Sequence, residues 1–112
     1  MVTTMYIPGR GDLVWINFTP HSGHEESGKR PAIVLSPYEY NKKTSFMVAC
    51  PITSKVKGYP FEVTVNAQQI KGVVLSDQVK NLDWKQRKAS FIEKASSEML
   101  EQVQEKLLLL IG

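Results

Sequence analysis

Cysteine and histidine are scarce in this chain, and their scarcity excludes most thiol and metal chemistry. The single cysteine, Cys50, has no partner for an internal disulfide, which points to a reducing compartment. It also falls in apolar company, where a thiol packs rather than attacks. The two histidines, His21 and His24, share one polar stretch with Glu25 and Glu26, and no distant residue completes a ligand spacing. The expectation is therefore no metal and no cofactor. Phosphate-binding glycine loops, dinucleotide fingerprints and serine elbows are missing. The longest apolar run, residues 107–111, is far short of the roughly 20 residues that cross a bilayer. Residues 1–11 hold no apolar stretch of the signal-peptide kind. The chain reads as cytoplasmic, without membrane contact.

What is present is globular in character. The 112 residues make one domain, 1–112, with 42% hydrophobic and 22% charged residues, enough for a modest core. Charge is unevenly placed. Residues 1–92 hold 12 Lys/Arg against 7 Asp/Glu, a balance of +5, whereas residues 93–112 hold 2 against 4, a balance of −2. A basic body suits a polyanionic partner such as nucleic acid, and ordinary solubilising charge is the competing reading.

Five stretches read as strands: residues 12–18 (DLVWINF), 31–36 (PAIVLS), 45–52 (SFMVACPI), 61–65 (FEVTV) and 72–79 (GVVLSDQV). The continuous apolar run of 31–36 suits a strand buried on both faces. Pro51 demands an edge, an end or a bulge. Residues 20–28, 37–44, 53–60 and 66–71 read as connections. The tail differs: Leu100, Val103, Leu107 and Ile111 fall at helical spacing over 97–111, with Ser96 or Ser97 as cap and Gly112 as stop. Residues 107–111 are apolar all round, which fits burial against a second chain or plain core packing. Short strands and one closing helix predict a mostly β, α+β fold: a small antiparallel barrel.

Arg30 stands out among polar residues. Pro31 forces the residue before it into extended conformation, fixing the direction of the guanidinium, and the strand behind is a stiff mount. Arginine stays protonated and offers a planar fork to phosphate oxygens. Thr53 ends another strand beside Ser54, Lys55, Lys57 and Tyr59. Should those two strand ends meet, they would form an anion-binding pocket.

The blocks GDLVWINF, GKRPAIVLSP, CPITS, KGYPFEV and GVVLSDQVKNLDW, in register from about Tyr6 to Gly112, closely resemble the MazF/PemK toxins, ribosome-independent endoribonucleases of bacterial toxin–antitoxin systems. The resemblance implies an SH3-like antiparallel barrel closed by a C-terminal helix, working as a homodimer. It places the catalytic arginine on Arg30, the catalytic threonine on Thr53 and an activity-linked glutamate on Glu25 or its neighbour Glu26. Gly28 and Pro31 match positions shaping the strand entry. Asn17, Phe18, His24, Lys29, Ser54, Lys55, Lys57, Gln78 and Lys80 fall in regions implied to bind substrate. Lys85, Arg87 and Lys88 are further candidates for tracking phosphates. Phe18, Tyr59 and Trp84 are candidate stacking faces, although Phe18 fits a core equally and Trp84 fits a core better.

The implied chemistry needs no metal. The RNA 2′-hydroxyl attacks the adjacent phosphorus, leaving a 2′,3′-cyclic phosphate and a 5′-hydroxyl. Arg30 suits stabilisation of charge on the phosphorus oxygens rather than proton transfer, because a guanidinium does not yield its proton near neutral pH. His24, Glu25 and water all remain open as acceptor of the 2′ proton. The substrate implied is single-stranded RNA, whose backbone is free to align for attack. The implied partner is a MazE-like antitoxin with an acidic, disordered tail. Two other readings stand beside this one. One is a gyrase-poisoning CcdB-like toxin, although that family's terminal Trp-Gly-Ile is Leu110-Ile111-Gly112 here. The other is a catalytically inactive nucleic-acid-binding module.

Overall fold

Strands β1 (Asp12–Asn17) and β2 (Lys29–Val34) have no polar alternation because each buries side chains on both faces. Leu13 and Ile33 enter one apolar cluster, with Cys50, Ile52, Val63, Val74, Met99 and Val103. Val14, Ile16, Ala32 and Val34 enter a second, on the opposite face, with Met47, Ala49 and Trp84. The computed structural model describes residues 5–17 and 28–112. The chain continues through helix α1 (Tyr38–Thr44), β3 (Phe46–Thr53), β4 (Glu62–Thr64), β5 (Val73–Leu75), β6 (Lys80–Asp83), β7 (Ser90–Lys94) and helix α2 (Ser97–Ile111).

All strand pairs are antiparallel, in the order β4-β5-β3-β2-β1-β7, with β6 also on β3. The mostly β architecture with a C-terminal helix is as expected, but the closed barrel is not realised as a continuous ladder: β4 and β7 are its ends. Side chains bridge the opening instead. Glu93 of β7 accepts from the backbone N–H groups of Gln68 (3.2 Å) and Gln69 (2.7 Å), and Gln69 Nε2 donates to the Ile92 carbonyl (3.2 Å).

Four elements depart from the sequence reading. The segment 72–79 holds one short strand, β5, and a turn, and β6 follows from Lys80, in a stretch with no strand pattern. β5 pairs with the far end of β3, a turn follows in which Gln78 N–H donates to the Leu75 carbonyl, and β6 pairs with the near end of β3. Residues 37–44, read as a connection, hold α1. β7 leaves no strand pattern in the sequence, because Ser90, Phe91 and Lys94 are exposed and only Ile92 of this strand is buried in the core.

Buried polar atoms pin the ends of these elements. Asn41 in α1 is fully buried; its Nδ2 donates to the Pro8 (2.8 Å) and Ser36 (3.1 Å) carbonyls, and its Oδ1 accepts from Ser36 Oγ (2.5 Å). Trp84 is core, not a stacking face, and its Nε1 donates to the Asn41 carbonyl (2.8 Å). Ser96 caps α2 by accepting from Met99 N–H (3.1 Å), and Gly112 N–H returns to the Leu108 carbonyl. Leu100 and Leu107 pack on the core, whereas Leu108, Leu109, Leu110 and Ile111 are exposed.

Candidate active site

Strands β2 and β3 run together and then part, and the candidate site lies in the fork. Their last pairs are Val34↔Ala49, Ile33↔Cys50 and Ala32↔Pro51. Leu35 N–H donates to the Val48 carbonyl (2.7 Å), which sets the hydrogen-bonding positions of the ladder at every second residue from there. The next one after Ile33↔Cys50 would join residues 31 and 52. Pro31 has no N–H to give, and the ladder stops. β2 stays with β1 through Trp15↔Pro31, Ile16↔Arg30 and Asn17↔Lys29, while β3 moves to β5 through Ile52↔Val74 and Thr53↔Val73. Pro51 is tolerated inside β3 for a related reason. It falls between the last β6 pair, Ala49↔Lys80, and the first β5 pair, Ile52↔Val74.

Beyond the fork, Arg30 and Thr53 sit at matching positions: the β2–β3 register continued by two residues sets one opposite the other, on one face. Both line an open groove of about 650 Å³, with Lys29, Ser54, Lys55 and Gln78. Arg30 is therefore a strand residue, the second of β2, rather than the last of a loop. Its Nη1 donates to the Lys29 carbonyl (3.2 Å). Thr53 Oγ1 accepts from Lys55 N–H (3.1 Å), which leaves its hydroxyl proton to donate into the groove. Among the described residues the groove wall carries four cations, Lys29, Arg30, Lys55 and Lys71, and no carboxylate. Such a surface attracts phosphate and holds it beside a fixed donor.

Gly72 sets the position of Thr53. Its φ is +132°, and a Cβ placed there would lie 2.2 Å from the Thr53 carbonyl oxygen. Only glycine permits this approach of β5 to the end of β3. Trp15, Gln69, Ile70 and Lys71 also line the groove and were missed from sequence. Lys71 had one legible signal, its place just before Gly72; the others are positioned by tertiary packing alone.

The remaining candidates scatter. Gly28 is half-buried at the entry to β2. Lys57 lies outside the main groove, in a neighbouring cavity that also includes Thr53, Lys55 and Gln78. Lys80 is exposed at the start of β6 and lines neither. Asn17 is buried at the end of β1, its N–H donating to the Arg87 carbonyl (2.9 Å) and its carbonyl accepting from Arg87 Nη1 (3.0 Å). Asn17 Oδ1 has no hydrogen-bond partner among the described residues. Phe18, His24 and Glu25, with Glu26, lie outside the described residues. Cys50 is fully buried, and burial together with the Asp77 charge pushes its thiol up to about 12, so it is no nucleophile.

Comparison with known proteins agrees along almost the whole chain. Residues 9–111 match the family model described as PemK-like, MazF-like toxin of type II toxin–antitoxin system. The endoribonuclease toxin MazF of Escherichia coli K12 is 43% identical over 111 residues, covering 99% of this chain and all of that protein. The crystal structure of MazF (Form-I) from Deinococcus radiodurans is similar with a TM-score of 0.86 and 52% identity, covering 96% of this chain and 98% of that one. A MazE–MazF complex from the same organism is similar with a TM-score of 0.86 and 48% identity, covering 96% and 97%.

Proposed function

This chain belongs to the PemK-like, MazF-like toxins of type II toxin–antitoxin systems and is an endoribonuclease toxin of that kind, and from this we propose how its groove cuts RNA. Single-stranded RNA lies in the fork between β2 and β3. Arg30 grips the scissile phosphodiester through its fork of donors, and Thr53 donates to the same group. The neighbouring 2′-hydroxyl attacks phosphorus, the bond to the 5′-oxygen breaks, and the products are a 2′,3′-cyclic phosphate and a 5′-hydroxyl. The protein's contribution is to align that attack and offset the charge that grows on the phosphorus oxygens, a term commonly worth about 3 kcal/mol, or roughly 100-fold in rate, per donor. Glu25, with His24 beside it, is the place to look for the group that accepts the 2′ proton.

The observation that carries this reading is the shared groove: Arg30 and Thr53 open onto one cavity whose walls, among the described residues, hold four cations and no carboxylate. We read the curled sheet as the SH3-like barrel of the resemblance, its seam spanned by the Glu93 bridges. The acting species is a homodimer, held in part by the exposed apolar end of α2. The antitoxin partner is supported by the MazE–MazF complexes among similar structures, and its acidic tail has the charge that this groove attracts.

The test is direct. Purified protein is incubated with a long RNA in excess EDTA, and the new ends are mapped by sequencing and by their reactivity to ligation. Cuts at a recurring short motif, carrying cyclic phosphate and 5′-hydroxyl ends, are expected. Intact RNA, or ends bearing a 5′-phosphate, would overturn the mechanism.

A further inference from the structure

Beside the main groove lies a smaller cavity of about 190 Å³, continuous with it through Thr53, Lys55, Leu75 and Gln78. We propose that this cavity receives the base of a nucleotide next to the cleaved bond, with Tyr59 as its stacking face and Asp77 as the carboxylate that selects an exocyclic amine. The inference rests on the reading that the groove cuts RNA, and names a specificity site within it.

The electrostatics separate the two spaces. Among the described residues, the main groove has no carboxylate on its wall, whereas the smaller cavity sets two, Glu62 and Asp77, beside Lys55 and Lys57. Carboxylates repel a phosphate but accept from the amino group of a base. The volume agrees, since 190 Å³ is below the roughly 300–1,000 Å³ of a drug-sized pocket and admits one ring system rather than a length of chain. Tyr59 is 58% exposed, with Lys57 Nζ 5.8 Å from its ring centroid, so an aromatic face and a cation stand together at the mouth.

A base-reading site must be stiff, and Glu62 makes it so. Its two carboxylate oxygens accept from the backbone N–H groups of Lys57 (3.0 Å) and Gly58 (3.0 Å), and its own N–H donates to the Tyr59 carbonyl (3.1 Å). Gly58, at φ +80°, permits the reversal. From the other side, Lys106 Nζ of α2 donates to the Pro60 carbonyl (2.6 Å). Glu62 is thus a positioning residue for Lys57 and Tyr59. With both its oxygens engaged by the loop, Asp77, on the turn between β5 and β6, is the carboxylate that meets the base.

The experiment uses the full chain and an RNA pool randomised around one cut site, with cleaved ends sequenced and KM and kcat measured on a favoured substrate. The unsubstituted protein is expected to disfavour uracil at one position flanking the cut. Asp77→Asn should admit uracil at that position and change no other. Tyr59→Ala should raise KM about tenfold or more with kcat within a few-fold. Glu62→Gln should raise KM while retaining the native circular dichroism spectrum. An unchanged preference profile for Asp77→Asn, or an unchanged KM for Tyr59→Ala, would overturn the assignment of this cavity; both residues are exposed, so neither substitution threatens the fold. An unsubstituted protein that leaves the whole pool uncut would overturn the nuclease reading itself.

Discussion

Arg30 shows how much a single residue owes to the one after it. Pro31 breaks the β2–β3 ladder by lacking one N–H, and this opens the fork into which Arg30 and Thr53 face. Because Arg30 is exposed and adds nothing to either apolar cluster, Arg30→Ala should lower the cleavage rate at least about 100-fold and leave the melting temperature within a few degrees. Arg30→Lys should recover only part of the rate, since an ammonium cannot offer the two parallel donors of a guanidinium. A variant that cuts at the original rate would remove Arg30 from the chemistry. Cys50 makes the opposite case, a reactive group silenced by packing. Its thiol is raised from 9.0 to about 12, by burial first and by the Asp77 charge second. Folding therefore favours the protonated form, so this contribution to stability is complete below about pH 9 and drains away as pH climbs towards 12. At pH 8 a maleimide should leave the folded protein unlabelled and modify it fully in denaturant; rapid labelling of the native state would show that the thiol is not enclosed.

Among the elements, the junction of β3 with β5 governs the site, and Gly72 governs the junction. A methyl group there would overlap the Thr53 carbonyl, and the backbone at φ +132° is strained for any other residue. Gly72→Ala should cost about 2 kcal/mol or more, seen as a melting temperature lower by several degrees, and should depress cleavage below what the unfolded fraction explains, because Thr53 is displaced. Unaltered stability would mean that β5 can shift away at no cost. The same stretch marks where sequence patterns stopped being informative. β1, β2, β3 and α2 were legible because each carries a long apolar run or a helical stripe that the core requires. The turn at residues 76–77 was hidden inside GVVLSDQV, although Ser and Asp are turn formers, since the valines before them dominate the pattern. α1 has no apolar stripe; its signals were Glu39 in the first turn, Lys42 and Lys43 in the last, and Pro37 just ahead. β6, with Lys80 and Asn81 exposed, is recruited by pairing with β3, which no local pattern records. Arg30 and Thr53 were readable as types and as strand ends, but their meeting depends on the register of β2 with β3, a property of the fold.

At the scale of the molecule, the end of α2 presents apolar surface that the described residues do not cover. Leu108, Leu109, Leu110 and Ile111 are between 51% and 77% exposed, while Leu107, on the inner side of the same turn, packs on the core. A charge at Leu107 would disrupt folding and binding together, because that side chain packs on the core. Leu109, at 77% exposure, separates the two. Fully burying one leucine is worth roughly 1.5–3 kcal/mol. In a symmetric dimer one substitution acts twice, so Leu109→Lys should weaken association by at least about 100-fold at an unchanged monomer circular dichroism spectrum, since each 1.4 kcal/mol is tenfold in the dissociation constant. Analytical ultracentrifugation across a concentration series reads this directly. If the groove needs a second chain to hold RNA, specific activity should fall on dilution over the same concentration range, and sooner for the variant. A Leu109→Lys protein that sediments as a dimer at the original concentrations would take the tail out of the interface and place the contact elsewhere on the sheet, where Phe91, 51% exposed on β7, is the next apolar side chain to substitute.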